Sequence, residues 1–114
     1  MKNINIEEFK KLVKEKGDDL GIIDVRDQNE FDIIHLKNSK LIPMMGIQNR
    51  INEIDWNKTV VLVCRSGARS AYVGRSLNGD YDTLNLVGGL GACYQDKECR
   101  ELLEVDEEKI GSYF

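Results

Sequence analysis

Long apolar runs are missing from this sequence, and none approaches the ~20 residues needed to span a bilayer. The opening residues, Met1-Lys2-Asn3-Ile4-Asn5-Ile6-Glu7-Glu8, lack the apolar core of a signal peptide and enter a charged helical pattern. The expected compartment is therefore the cytoplasm. Histidine occurs once, as His35, and no Cys-x-x-Cys pair exists, so a zinc site is not expected and no other cofactor is called for. Cysteine occurs three times, at 64, 93 and 99. An odd count without an export signal argues against a disulfide framework. An excess of cations is missing too. The chain carries 16 Lys and Arg against 20 Asp and Glu, a net charge of −4, which argues against a nucleic-acid partner. Basic residues crowd only one segment, at Arg65, Arg69 and Arg75, a pattern better suited to a small anion.

What is present reads as one α/β domain over residues 1–114. Asn5 and Glu8 have the spacing of a helix cap with its reciprocal acid, and Ile6, Phe9, Leu12 and Val13 follow at helical period up to Gly17. Leu20 to Val25 reads as a buried strand. Asp27 and Glu30 repeat the capping spacing, predicting a short helix over Gln28 to Ile34. A brief strand is expected at Leu41-Ile42-Pro43 and a helix over Gly46 to Ile54. Thr59 to Val63, apolar and rich in β-branched residues, is the clearest strand signal. A helix over Ser70 to Leu77, a strand over Tyr81 to Val87 and a charged, mostly helical tail from about Lys97 complete the reading. Strands alternating with helices imply an open, mainly parallel sheet covered on both faces.

Sites in such sheets gather at the carboxyl ends of strands, and Cys64 sits at that point after the best strand. The residues after it, Arg65-Ser66-Gly67-Ala68-Arg69-Ser70, are mostly small and lead into a helix. A short loop of this kind can curl its backbone N–H groups toward one point and bind an anion. A thiolate at that point is stabilised, so Cys64 is the candidate nucleophile. Asp24 and Arg26 flank Val25, share one side of a strand and are expected to form an architectural charge pair. Gly88-Gly89 predicts a tight turn packed beside the cysteine loop. Ser66 and Ser70 can donate hydrogen bonds, or cap the helix that follows.

Asp24-Val25-Arg26, Glu30-Phe31, His35-Leu36, Cys64-Arg65-Ser66-Gly67-Ala68-Arg69-Ser70 and Gly88-Gly89, in this order, resemble the rhodanese domain over roughly residues 5 to 95. The resemblance implies a five-stranded parallel sheet flanked by helices. It also implies transfer of sulfane sulfur, from an anionic donor such as thiosulfate to a thiol or protein acceptor, through a persulfide on Cys64. It gives Glu30 and His35 mainly structural roles. Arg65 is expected to orient the donor, and Arg69 either to assist it or to shape the loop. The chain departs from the family pattern at Lys37-Asn38-Ser39, where proline-glycine-alanine is usual, and at Cys93, where many members carry tryptophan. Cys93 reads as a packed residue or as a thiol that takes sulfur from Cys64.

Two other classes of function remain in view. Cysteine phosphatases and arsenate reductases place five residues between cysteine and arginine, whereas four separate Cys64 from Arg69 here. A non-catalytic interaction module of the same fold often loses the cysteine or the basic loop, and this chain keeps both.

Overall fold

The computed structural model describes residues 1–114. Its strands are β1 (Lys2–Ile4), β2 (Leu20–Asp24), β3 (Ile34–Leu36), β4 (Ser39–Leu41), β5 (Thr59–Val63), β6 (Leu84–Leu86) and β7 (Leu103–Val105). Its α-helices are α1 (Ile6–Lys16), α2 (Gln28–Ile33), α3 (Ala68–Leu77), α4 (Gly89–Gln95) and α5 (Lys97–Arg100). Five strands, the number the family resemblance implies, form a parallel sheet in the order β1-β6-β5-β2-β4, with helices on both faces as the alternating pattern implies. Alternation along β5 divides the core. Val61 and Val63 join Phe9, Leu90, Cys93 and Cys99 on one face, while Val60, Leu62 and Cys64 join Ile23, Val25, Val73 and Leu77 on the other.

Local signals set several boundaries. Asn5 closes a full capping box on α1, its side chain accepting from the Glu8 N–H while the Glu8 carboxylate accepts from the Asn5 N–H. Gly17 ends the helix at φ 54°, a conformation that disfavours side chains with a Cβ. Asp27 caps α2 through the Glu30 N–H.

Four expectations are corrected. The stretch from 46 to 54 forms 3₁₀ turns, Met44–Gly46 and Gln48–Glu53, the second interrupted at Arg50 with φ −122°. The Ile51 carbonyl accepts from the Ile54 N–H three residues on, the 3₁₀ pattern, and from the Trp56 indole N–H. The strand expected at 41–43 lies at Ser39–Leu41, because Pro43 has no N–H to give the ladder. The strand expected over 81–87 shortens to Leu84–Leu86 and gains an unforeseen partner in β1. The tail is not mostly helical: beyond the four-residue α5 it forms β7, which pairs antiparallel with β3. His35 therefore stands in a strand, with Ile34 and Leu36 turned into the core on either side.

The largest correction concerns the cysteines. Cys93 and Cys99 are joined in a disulfide, against the expectation drawn from their odd number, while Cys64 is free. The asymmetry has a simple cause. Asp96 caps α5 by accepting from the Cys99 N–H, turning the chain so that α5 folds back on α4 and both sulfurs meet in the core. Cys93 is thus a packed residue, bonded to a partner, and not a thiol open to Cys64.

Thiol titration of the denatured protein should find one reactive group before reduction and three after it. Cys99→Ser should cost about 2 kcal/mol in urea unfolding, the size expected for opening so short a loop. Three titratable thiols in the unreduced protein would contradict the pairing.

Candidate active site

Cys64 continues the alternation of β5, so its side chain faces α3 and its Cβ packs in the core; the residue is fully buried. The chain then turns sharply. Gly67, at φ 95°, lies so close to β6 that a Cβ there would stand 3.0 Å from the Leu86 carbonyl oxygen. Ala68 starts α3 immediately afterward. The turn brings donors onto the sulfur: the Gly67 N–H at 3.1 Å, the Ser70 N–H at 3.4 Å and the Ser70 hydroxyl at 3.4 Å. Burial alone would push the Cys64 thiol up. The Ser70 hydroxyl and the N–H groups of Ser70, Gly67 and Ser66 outweigh it, and the thiol is held below its ordinary value. A buried anion at position 64 is therefore matched by donors contributed by its own loop.

The loop is braced from behind. The Leu90 N–H donates to the Cys64 carbonyl and the Gly91 N–H to the Arg65 carbonyl, both at 2.9 Å. So close an approach requires Gly89, where a Cβ would meet the Cys64 carbonyl oxygen and stand 2.7 Å from that of Arg65. Gly88 and Gly89 hold φ of 82° and 56°, the tight turn read from the sequence.

Asp24 and Arg26 form the buried pair their spacing suggests, with Nη2 2.7 Å and Nε 2.9 Å from the two carboxylate oxygens. Glu30 grips Arg69 with both oxygens, at 2.7 and 2.9 Å. Arg69, beside which Glu30 sits, holds the Glu30 carboxyl down to about 2, with the Tyr113 hydroxyl helping against burial. Tyr113 links the two pairs, donating to Glu30 at 2.7 Å and accepting from Arg26 at 2.9 Å. Burial, then the bond to Glu30, pushes the Tyr113 hydroxyl up to about 12, so it remains a donor. Arg65 is exposed; its Nε donates to the Tyr113 carbonyl and its guanidinium lies over the Tyr113 and Phe114 rings. Ser66 is exposed at the loop's outer edge. His35 is not at the sulfur: it donates to the Phe31 carbonyl, stacks on the Phe31 ring and faces Glu104.

Sequence reasoning missed Tyr113, Asn85 and Asn3. Asn85, almost wholly buried in β6, accepts from the Ser70 hydroxyl at 2.6 Å and donates to the Asn3 side chain at 3.1 Å. An isolated polar residue inside an apolar strand was the only local signal for Asn85. Nothing near Tyr113 in sequence points to a residue 83 positions away.

The rhodanese-like domain profile matches residues 5–96, more than half of the chain. The chain belongs to the rhodanese-like domain family. A rhodanese-like domain protein from Staphylococcus aureus has the same fold, with a TM-score of 0.77 and 34% identity over 93% of this chain and 99% of that one. A putative sulfur carrier protein, YrkF, from Bacillus subtilis is 32% identical over 76% of this chain. This rhodanese-like chain spans 48% of YrkF's length, so it corresponds to only part of that protein. The thiosulfate sulfurtransferase GlpE of Coxiella burnetii is 32% identical over 77% of this chain and 82% of its own length. The profile match ends at residue 96, so β7 and Tyr113 lie beyond the matched residues.

Followed by thiolate absorbance, Cys64 should titrate below a free cysteine, and Ser70→Ala should move the midpoint upward. Because the folded value is the lower one, the site adds stability above the ordinary thiol range. That contribution is lost as pH falls through the folded value. Asp24→Asn should cost about 3–5 kcal/mol in urea unfolding, because it strands Arg26 in the interior, and pairing it with Arg26→Met should recover much of the loss. Additive losses in the double variant would rule out the pairing as the cause.

Proposed function

We propose that this chain is a sulfurtransferase that carries sulfane sulfur on Cys64. The observation that supports the reading most directly is the convergence of the Gly67 N–H, the Ser70 N–H and the Ser70 hydroxyl on one free sulfur, in a chain of the rhodanese-like family. Such donors favour the anionic forms of the cycle, thiolate and persulfide, as an oxyanion hole favours its intermediate.

In the first half-reaction the Cys64 thiolate attacks the outer sulfur of a donor such as thiosulfate. A new S–S bond forms to Cys64, the donor's S–S bond breaks, and its electron pair leaves with sulfite. The persulfide's negative terminal sulfur is held by the loop donors. In the second half-reaction an acceptor thiolate, or cyanide, attacks that terminal sulfur and the Cys64 thiolate departs. Protons need not move, so the cycle requires neither a general base nor a cofactor, and His35 has no part in it.

Arg65 is the residue we assign to the incoming anion, since it is the exposed guanidinium of the loop. Arg69 is assigned to shaping the loop, because Glu30 already occupies both of its outer nitrogens. Asp24, Arg26, Glu30, His35, Gly88 and Gly89 are support. The acceptor is a thiol, free or on a protein, and the setting we assign is the cytoplasm. There, reducing conditions would compete with the Cys93–Cys99 bond, whose burial protects it. No helix is long and apolar enough to cross a membrane.

Intact mass spectrometry after incubation with thiosulfate should show a gain of one sulfur on the native chain. The gain should be lost on adding cyanide and absent from Cys64→Ser, which should also lose turnover by at least about 10³-fold. Turnover retained in Cys64→Ser would end the mechanism, and hydrolysis of p-nitrophenyl phosphate with no sulfur gained would favour a phosphatase instead.

A further inference from the structure

Ser70 has one hydroxyl proton and two acceptors within reach. The Cys64 sulfur lies 3.4 Å away, and Asn85 Oδ1, in the buried strand β6, lies 2.6 Å away. The second contact is short even for O–H···O, while the first is an ordinary distance to sulfur. One hydroxyl cannot donate fully to both. The orientation of the Asn85 amide decides the division, and that orientation is fixed on its far side, where Nδ2 donates to Asn3 Oδ1 at 3.1 Å. Asn3 sits on the exposed edge strand β1, paired in register with Asn85, so the two side chains face each other across the sheet's outer ladder.

We propose that Asn85 is a positioning residue for Cys64, competing with the sulfur for the Ser70 hydroxyl proton and so limiting how strongly the anionic sulfur is held. The consequence is chemical. A thiolate stabilised too well is a poor nucleophile, and intrinsic reactivity falls as the thiol's acidity rises. The backbone donors, Gly67 and Ser70, cannot be withdrawn, because the turn fixes them. The Ser70 hydroxyl is the one donor that can be shared. Asn85 takes most of it, leaving the sulfur anionic but reactive, and Asn3 keeps the Asn85 carbonyl turned toward Ser70. The charged and titratable groups around the loop, namely Arg65, the Arg69–Glu30 pair, the Arg26–Asp24 pair and the neutral Tyr113 hydroxyl, keep their own partners in this arrangement.

The inference takes its meaning from Cys64 as the sulfur carrier, but its test reads the thiol itself and needs no sulfur transfer. In the full chain, Asn85→Leu removes the competing acceptor while keeping the branched shape of the side chain, and leaves the hydroxyl proton to the sulfur. Thiolate absorbance should then titrate about one unit lower than in the unaltered chain, the size of one hydrogen bond gained by an anion. The limiting rate of alkylation by iodoacetamide, measured with the thiol fully ionised, should fall about threefold. Both changes should vanish when Ser70→Ala is the background. Should Asn85→Leu fail to fold, Asn3→Ala, at the exposed sheet edge, should shift the titration in the same direction by less. An unchanged or raised midpoint in the variant that is measured, or the same shift without the Ser70 hydroxyl, would overturn the proposal. A buried asparagine serving only to hold β6 would loosen the loop and raise the midpoint. Should sulfur loading fail while these shifts appear, the sulfurtransferase reading falls and the positioning role stands.

Discussion

A buried sulfur that is to carry negative charge must find its donors in the protein, because water cannot reach it. At Cys64 the requirement is met within six residues. The strand delivers the side chain to the α3 face, the chain reverses at Gly67, and the first turn of α3 presents Ser70. Each step limits the next. Gly67 must adopt positive φ to point its N–H inward, and the reversal must pass close under the end of β6. The loop's own carbonyls then face away from the sulfur and need partners. Leu90 and Gly91 supply them, which is why Gly89 must come near enough to exclude any side chain. One electrostatic demand thus fixes glycines more than twenty residues apart.

The charges around the loop answer a different demand. Arg69 lies in the first turn of the helix that faces the sulfur, and unpaired it would be free to swing across the loop. Glu30 pins it, Tyr113 pins Glu30, and Arg26 pins Tyr113 while Asp24 balances Arg26. A chain of alternating partners is cheaper than separate buried charges, since every desolvated group meets an opposite charge or a hydroxyl. It also ties residues at opposite ends of the sequence to one wall of the site. Arg65 is different in kind. It is exposed, held by one carbonyl and two ring faces and paired with no carboxylate.

The sheet class and the cysteine loop were legible because their signals are local. A β-branched run, a capping pair and a small-residue loop after a strand each fit within a window of ten residues. The strands missed altogether share the opposite property. β1, β3 and β7 are three residues long, too short for a period of two to register, and exist because a distant strand offers its ladder. Cys93 and Cys99 meet only because Asp96 turns the chain between them, and a count of cysteines carries no information about that turn. Tyr113 and Asn85 act through partners 83 and 15 positions away. Polar residues of that kind stand out only once the buried groups needing a partner are known.

The division between what was legible and what was not follows the division of labour in the site. Groups that touch the sulfur are contiguous in sequence, so their relative geometry is set by a few backbone torsions and survives small shifts of the scaffold. Groups that orient the loop come from distant parts of the chain and depend on the whole fold being in register. Changes in the distant groups should therefore alter how the loop faces its reactants, and changes within the loop should alter the sulfur's own affinity for a proton. Asn85 crosses that boundary. It belongs to the scaffold by position, yet through a single hydroxyl it reaches the sulfur. A residue so placed can adjust the sulfur without disturbing the turn that surrounds it.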